Sequence, residues 1–416
     1  MKPLNPVISA CPPSGIRRFF DIAASMTGVI SLGVGEPDYV TPWRVREAGI
    51  AALEAGRTSY TSNLGLPELR EAICADIARR YAVAYEPGSE CLVTSGVSEG
   101  LDLALRVLLE PGDEVIIPEP CYVAYGPCVA FAGGTPVYVA TSSSDGFRLH
   151  PGQVESAITP RTKAILIGSP ANPTGAAQSR DDLAALVDLA VRHDLYLVAD
   201  EIYERLSYTA PHACLPSLPG ARDRTVLLGG FSKAHAMTGW RVGYLCAPAP
   251  VSDLACRIHQ YTQLCASHVS QAAALEALRG DHDVRQMVAD YDRRRRVFVQ
   301  GLRDIGLDCA EPGGAFYAFP SIARTGLSSE EFAERLLLSE SVAVVPGNVF
   351  GPSGEGHVRC CYATALSDLD EALARMDRFV AKHLQRALRR PRHGHEEAWS
   401  IVAASGANAG PVRATR

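Results

Sequence analysis

The chain has 416 residues, enough for two or three folding units or for one large core with a smaller lobe. Hydrophobic residues make up 47% and charged residues 21%, which excludes a disordered or collagen-like chain. With 40 Lys plus Arg against 46 Asp plus Glu the net charge is −6, so no basic field invites nucleic acid, and small molecules are the expected ligands.

The opening MKPLNPVISACPPSG has no continuous apolar segment, and no run of about 18 apolar residues follows, so neither export nor a membrane span is expected. Twelve cysteines at this length are too sparse for a stapled secreted scaffold; reduced thiols in the cytoplasm are the expectation. From about residue 90 to 250, short apolar runs alternate with amphipathic stretches, the pattern of βαβ units and a mainly parallel sheet. The predicted strands are Glu90–Thr94, Glu114–Pro118, Thr135–Ala140, Lys163–Ile167, Leu195–Ala199, Thr225–Leu228 and Gly243–Ala247. Ser98–Leu109 and Arg180–His193 carry apolar residues at helical spacing and are expected to cover the sheet. After 250 a long helical stretch through Gln260, Gln271 and Asp292 leads to Arg293–Arg296, then to a compact α+β segment ending near Lys382. The four arginines read as a solvated, salt-bridged helix face. From His383 the chain turns Arg-rich and then Gly- and Ala-rich, as a loosely ordered tail does.

The residues able to carry chemistry cluster around strand ends. In the segment Phe231–Tyr244, Lys233 follows Ser232 at the end of an apolar run, with Arg241 eight positions on. Such a lysine can offer an amine to a carbonyl while hydroxyl and guanidinium hold a phosphate, as a pyridoxal phosphate site is built, although the pair taken alone reads more readily as a surface Lys with a salt-bridged Arg. Asp200 stands where another strand runs out, able either to pair with a pyridine nitrogen or to cap the next helix. Tyr203 follows as a donor to the ring's phenolic oxygen. Asn172 projects from Ser169–Gly175, a proline-fixed turn that reads equally as ordinary loop punctuation. Val93–Leu101 passes from strand to helix, so the N–H groups of Val97 and Ser98 can hold a phosphate. That stretch lacks the glycine spacing of a dinucleotide fingerprint and has no GK[ST], which removes the main support for nicotinamide and nucleoside triphosphate chemistry. Tyr122 is suited to lie on an aromatic cofactor ring.

Together these segments resemble the class I and II aminotransferases, the pyridoxal-phosphate enzymes of the aspartate aminotransferase superfamily. The resemblance runs from about Pro12 to Val380 and rests on SLGVGEPD at 31–38, YTSNLG at 60–65, NPTG at 172–175, DEIY at 200–203, SKAHAMTGWRVGY at 232–244 and VRCCYAT at 358–364. It implies that Lys233 forms the Schiff base with the cofactor and then shuttles the substrate proton, with Asp200 and Tyr203 completing the catalytic set. Tyr203 and Asn172 would hold the phenolic oxygen and Tyr122 would stack on the ring. Val97, Ser98, Ser232 and Arg241 would hold the phosphate. Arg359, helped by Asn172 and the Gly35 backbone, would grip the substrate carboxylate, with Ile16 near the substrate entrance. Tyr60 would reach the phosphate of a neighbouring subunit, which implies a homodimer with shared sites; no metal is implied.

The implied fold is α/β: a mixed, mainly parallel seven-stranded sheet flanked by helices, beside a smaller α+β domain. The expected division is an arm and small-domain segment over 1–45, a large cofactor-binding domain over 46–280, a small domain over 281–382 and a flexible tail over 383–416. The implied reaction moves an amino group from an L-amino acid of aspartate, alanine or aromatic type to a 2-oxo acid, with 2-oxoglutarate the expected acceptor, by a ping-pong cycle. A lyase or cyclase on the same fold, or a non-catalytic sensor, are the alternatives. His235, Ala171 and Cys360–Cys361 depart from the family pattern and bear on side-chain specificity. His235 is read as structural, and the two cysteines as packing.

Overall fold

The computed structural model describes residues 2–11, 13, 15 and 26–389. A short β1 (Ile30–Ser31) precedes seven strands, β2 (Cys91–Thr94), β3 (Glu114–Glu119), β4 (Thr135–Ala140), β5 (Thr162–Gly168), β6 (Tyr196–Asp200), β7 (Thr225–Gly230) and β8 (Gly243–Cys246). These seven form one sheet in the order β2-β8-β7-β6-β5-β3-β4. β8 runs antiparallel to both neighbours and every other pair is parallel, so the sheet is mixed. All seven predicted strands are present, with ends displaced by two residues at most. β2 and β8 are buried at every position, because helices cover both faces; such strands read as unbroken apolar runs. β4 lies at an edge, which leaves Tyr138 half-exposed. The register sets Gly168 beside Asp200 and Asp200 beside Leu228, so the carboxyl ends of β5, β6 and β7 share one rim. Open α/β sheets offer their ligand crevice there.

The helices Val97–Leu108 and Arg180–Arg192 match expectation within one residue at each end. The first buries Leu101, Leu105 and Leu108. The long helical stretch after 250 is corrected to three helices, Ala249–Thr262, His268–Ala277 and His282–Asp304. The first break falls where Leu264 adopts a left-handed φ of 69° and Ser267 caps the next helix by accepting from the Ser270 N–H.

A second core gathers Phe298, Phe316, Phe332, Met376 and Phe379. Around it lie β9 (Tyr317–Ala318), β10 (Val342–Ala343), β11 (Val345–Pro346) and β12 (Val358–Cys361). β12 pairs antiparallel with β11 and β9, and β1 joins β10 in parallel, so the segment near residue 30 belongs with this C-terminal region. Cys360 and Cys361 are both buried in this core.

Arg294, Arg295 and Arg296 of the four-arginine run are salt-bridged, but the solvated face is corrected for Arg294 and Arg295. Arg294 and Arg295 are 9% and 6% exposed. Arg294 binds Asp38 and Asp290, each at 2.7 Å, and Arg295 binds Asp292 at 2.6 Å and also Glu311. Asp38 also accepts from the Tyr291 hydroxyl, so this helix anchors the Gly35–Asp38 loop. The last helix, Leu366–Arg389, runs past residue 382, with His383 buried against Phe379 and Leu384 packed on the second core. Residues 390–416 of the expected tail lie outside the described residues. Among the described residues no helix is long and apolar enough to cross a membrane.

Candidate active site

At the rim of the sheet a cavity of about 590 Å³ opens. Of the residues singled out in the sequence, Val97, Ser98, Tyr122, Asn172, Asp200, Tyr203, Ser232, Lys233, Arg241, Arg359 and Gly35 all line it. Tyr60 does not; it is 80% exposed on the surface of the single chain. Ile16 lies outside the described residues.

β2 delivers the chain to Gly96, whose φ of +79° begins the helix Val97–Leu108 with no side-chain cap. The first-turn N–H groups of a helix have no intrahelical acceptor, so this end is a donor-rich cradle for an anion. The cradle is tight: a Cβ on Gly96 would stand 2.6 Å from Arg241 Nη2, and one on Gly243 would meet Gly96 C and Val97 N at 2.9 Å. Only glycine lets β8 and Arg241 pass this close. Arg241 itself is exposed and donates to the Thr238 carbonyl at 3.1 Å.

The end of β6 presents Asp200, 7% exposed. Its Oδ2 accepts from the Tyr125 hydroxyl at 2.8 Å and its Oδ1 from the Ile202 N–H at 3.3 Å. Burial raises its pKa, against the pull of these donors and of Lys233. Such a carboxylate asks for a cationic partner. Tyr122 lies on the same side, its ring edge-on to Tyr125 at 5.6 Å.

Lys233 sits in the turn between β7 and β8 and donates from Nζ to the Gly35 carbonyl at 2.6 Å. Burial pushes its amine down from 10.5 to about 8; Arg359 and Arg241 push the same way, while Cys361 and Glu36 oppose. An amine tuned toward neutral pH is suited to act as nucleophile and as proton carrier.

The opposite wall comes from the second core. Arg359, on β12 and 3% exposed, donates from Nη1 to Asn172 Oδ1 at 3.0 Å and from Nη2 to the Gly33 carbonyl at 2.6 Å. Its guanidinium lies 4.7 Å from the Tyr317 ring centroid and 5.0 Å from that of Phe350. Its buried Nε has no partner among the described residues, a donor set short of one acceptor. The Tyr317 hydroxyl is 2.7 Å from that of Tyr203 and 3.4 Å from the Gly35 carbonyl.

Sequence reasoning missed Tyr125, Tyr317, Thr238 and Glu36. Tyr125 stands at the start of the helix Tyr125–Phe131, three residues beyond Tyr122, a spacing that could have drawn attention to it. Tyr317 carries no local signal, because only the packing of the second core brings it here. His235 is buried beside Phe231 and is not among the lining residues; burial, helped by Arg205, lowers its pKa to about 3, so it stays neutral.

The residues fit an anionic, planar cofactor. They supply an N–H cradle with Arg241, a buried carboxylate, an aromatic side chain, a tuned amine and an arginine with a donor to spare. The family model for aminotransferase class I and II matches residues 27–376. The chain is 54% identical over 380 residues to the protein YugH of Bacillus subtilis, covering 91% of this chain and 98% of that one. It is 44% identical over 372 residues to the aspartate aminotransferase of Pyrococcus abyssi, covering 88% and 96%. The solved structure of an aromatic aminotransferase from Pyrococcus horikoshii matches with a TM-score of 0.84 at 41% identity, over 88% of this chain and 99% of that one. On the family match, the extent of these identities and the shared fold, the chain belongs to the class I and II aminotransferases and is an enzyme of amino-group transfer.

Proposed function

We propose that the enzyme holds pyridoxal 5'-phosphate in this cavity and moves an amino group from an L-amino acid to a 2-oxo acid in two half-reactions. The observation that carries this reading is the convergence of Lys233, Asp200, Arg241 and Arg359 on one cavity, with the Lys233 amine lowered to about 8. When bound, the cofactor supplies an aldehyde that accepts the amino group and a ring that spreads the negative charge left when the Cα proton departs.

Val97, Ser98, Ser232 and Arg241 would hold the phosphate, and Tyr122 would cover one ring face. Asp200, kept dry and supported by Tyr125, would pair with the ring nitrogen and keep it protonated. Tyr203 and Asn172 would donate to the phenolic oxygen; Asn172 already spends its carbonyl oxygen on Arg359, which leaves its NH₂ to donate. Lys233 would carry the cofactor and, once released, move the proton from Cα. Arg359 would take the substrate carboxylate as a planar fork, the role its unpartnered Nε supports.

Donors of aspartate, alanine or aromatic type and 2-oxoglutarate as acceptor are the proposed substrates; the names of the Pyrococcus relatives support the aspartate and aromatic types. Tyr60, exposed here, would serve a neighbouring subunit's phosphate in a homodimer. Among the described residues no disulfide joins the cysteines, in line with the proposed cytoplasmic protein.

The test mixes pyridoxal-phosphate-loaded enzyme with single amino acids and no acceptor. Stoichiometric conversion of the cofactor to its pyridoxamine form, reversed by 2-oxoglutarate, is the expected result. Repeated turnover with ammonia release would instead assign a lyase, and no spectral change with any amino acid would leave a sensor.

A further inference from the structure

Glu99 stands in the first turn of the helix Val97–Leu108, immediately after Ser98. One of its oxygens accepts from the Ser95 N–H, folding back over the loop that precedes the helix. The other lies 2.6 Å from Nδ1 of His259. An ionised carboxylate only accepts, so Nδ1 carries the hydrogen of that bond. His259, on the neighbouring helix Ala249–Thr262, is 0% exposed, and its Nε2 has no partner among the described residues. The ring's side-chain hydrogen bonding is thus confined to Glu99. An imidazole buried with one nitrogen unsatisfied destabilises the fold, whereas an apolar side chain of similar volume would fill the space without that penalty.

A carboxylate in the first turn is also an intrinsic competitor for a bound anion. It has the charge and the reach to accept from the free N–H groups of its own helix end. Here both oxygens are engaged, one by Ser95 and one by His259. We propose that His259 is a positioning residue for the phosphate cradle: by holding Glu99 against Ser95 it fixes the Ser95–Ser98 backbone and keeps the carboxylate from competing for the Val97 and Ser98 N–H groups. This inference rests on the pyridoxal phosphate reading above.

The experiment titrates the cofactor-free full-length protein with pyridoxal phosphate and, separately, with pyridoxal, which lacks the phosphate, and follows cofactor absorbance. His259→Leu is expected to weaken pyridoxal phosphate binding roughly tenfold or more, the size of a lost hydrogen bond to a charged group, and to change pyridoxal binding by less than about twofold. His259→Asn, whose amide can donate from the Nδ1 side, should recover most of the loss. Should His259→Leu not fold, His259→Met fills the same space and must give the same split. Parallel weakening of both ligands, or unchanged affinity for pyridoxal phosphate, would overturn the inference. A wild-type protein that binds neither ligand overturns the cofactor reading and this inference with it.

Discussion

The sheet-side wall of the cavity takes its chemistry from loops that leave neighbouring strands, whereas the opposite wall is assembled from Gly33, Gly35, Tyr317 and Arg359, which are remote in sequence. Asp200 ends β6 and Lys233 follows β7, and the pairing of these strands brings the two together. Arg359 and Gly33 meet across 326 positions. The difference suggests a division of labour. In the proposed function the sheet wall would tune the reacting groups, while the second wall would grip the substrate. It is held in place by ties such as Asp38 to Arg294 and to Tyr291.

The largest effect should come from the sheet wall. Lys233→Ala would remove the proposed nucleophile and proton carrier together and should lower kcat by at least roughly 10³-fold with the fold intact by circular dichroism. A variant retaining activity within about tenfold of wild type would take the chemistry away from this wall.

Next is a linkage effect in the cofactor-free protein. Lys233 is held at about 8 in the folded state against an ordinary 10.5. Between those values the unfolded chain binds more protons than the folded one, so stability should rise with pH across that window. The gain is on the order of 3 kcal/mol at most. The comparison is with Lys233→Met in urea unfolding at pH 8 and pH 10.5, which isolates this group from others that titrate nearby. Equal slopes in both proteins would mean that the amine is not desolvated as described.

Arg359→Lys tests the second wall. It keeps the charge but loses the fork, and should raise KM for the amino donor roughly ten- to a hundredfold with a smaller change in kcat. A fall in kcat at constant KM would move Arg359 to the chemical side and erase the contrast. The smallest effect is expected for Tyr125→Phe, which removes one neutral donor from Asp200. A drop in kcat of about tenfold or less, at unchanged KM, would place Tyr125 with the sheet wall.

The strands of the sheet other than the edge strand β4 were legible because strands covered on both faces are nearly unbroken apolar runs, and their ends were marked by Gly96, Asp200 and Ser232–Lys233. The break between Thr262 and His268 was not legible, since apolar spacing continues across a turn that depends on the left-handed backbone of Leu264. Nor was the burial of Arg294 and Arg295, which needs Asp38 and Glu311 brought from elsewhere in the chain. Tyr125 and Tyr317 escaped for the same reason: each matters through contacts to residues distant in sequence.

From the sequence alone follow the strand pattern, a helix from Ser98 to Leu109, one residue from its observed bounds, and the strand-end residues Asp200 and Lys233, because periodicity and turn chemistry are local properties that each segment carries with it. Folding of the whole chain decides the rest. It turns Arg359 toward Asn172 and Gly33, sets Tyr317 against Tyr203, buries His259 behind Glu99 and lowers the Lys233 amine. Desolvation and charge pairing depend on which remote groups share a space, and no single segment encodes that.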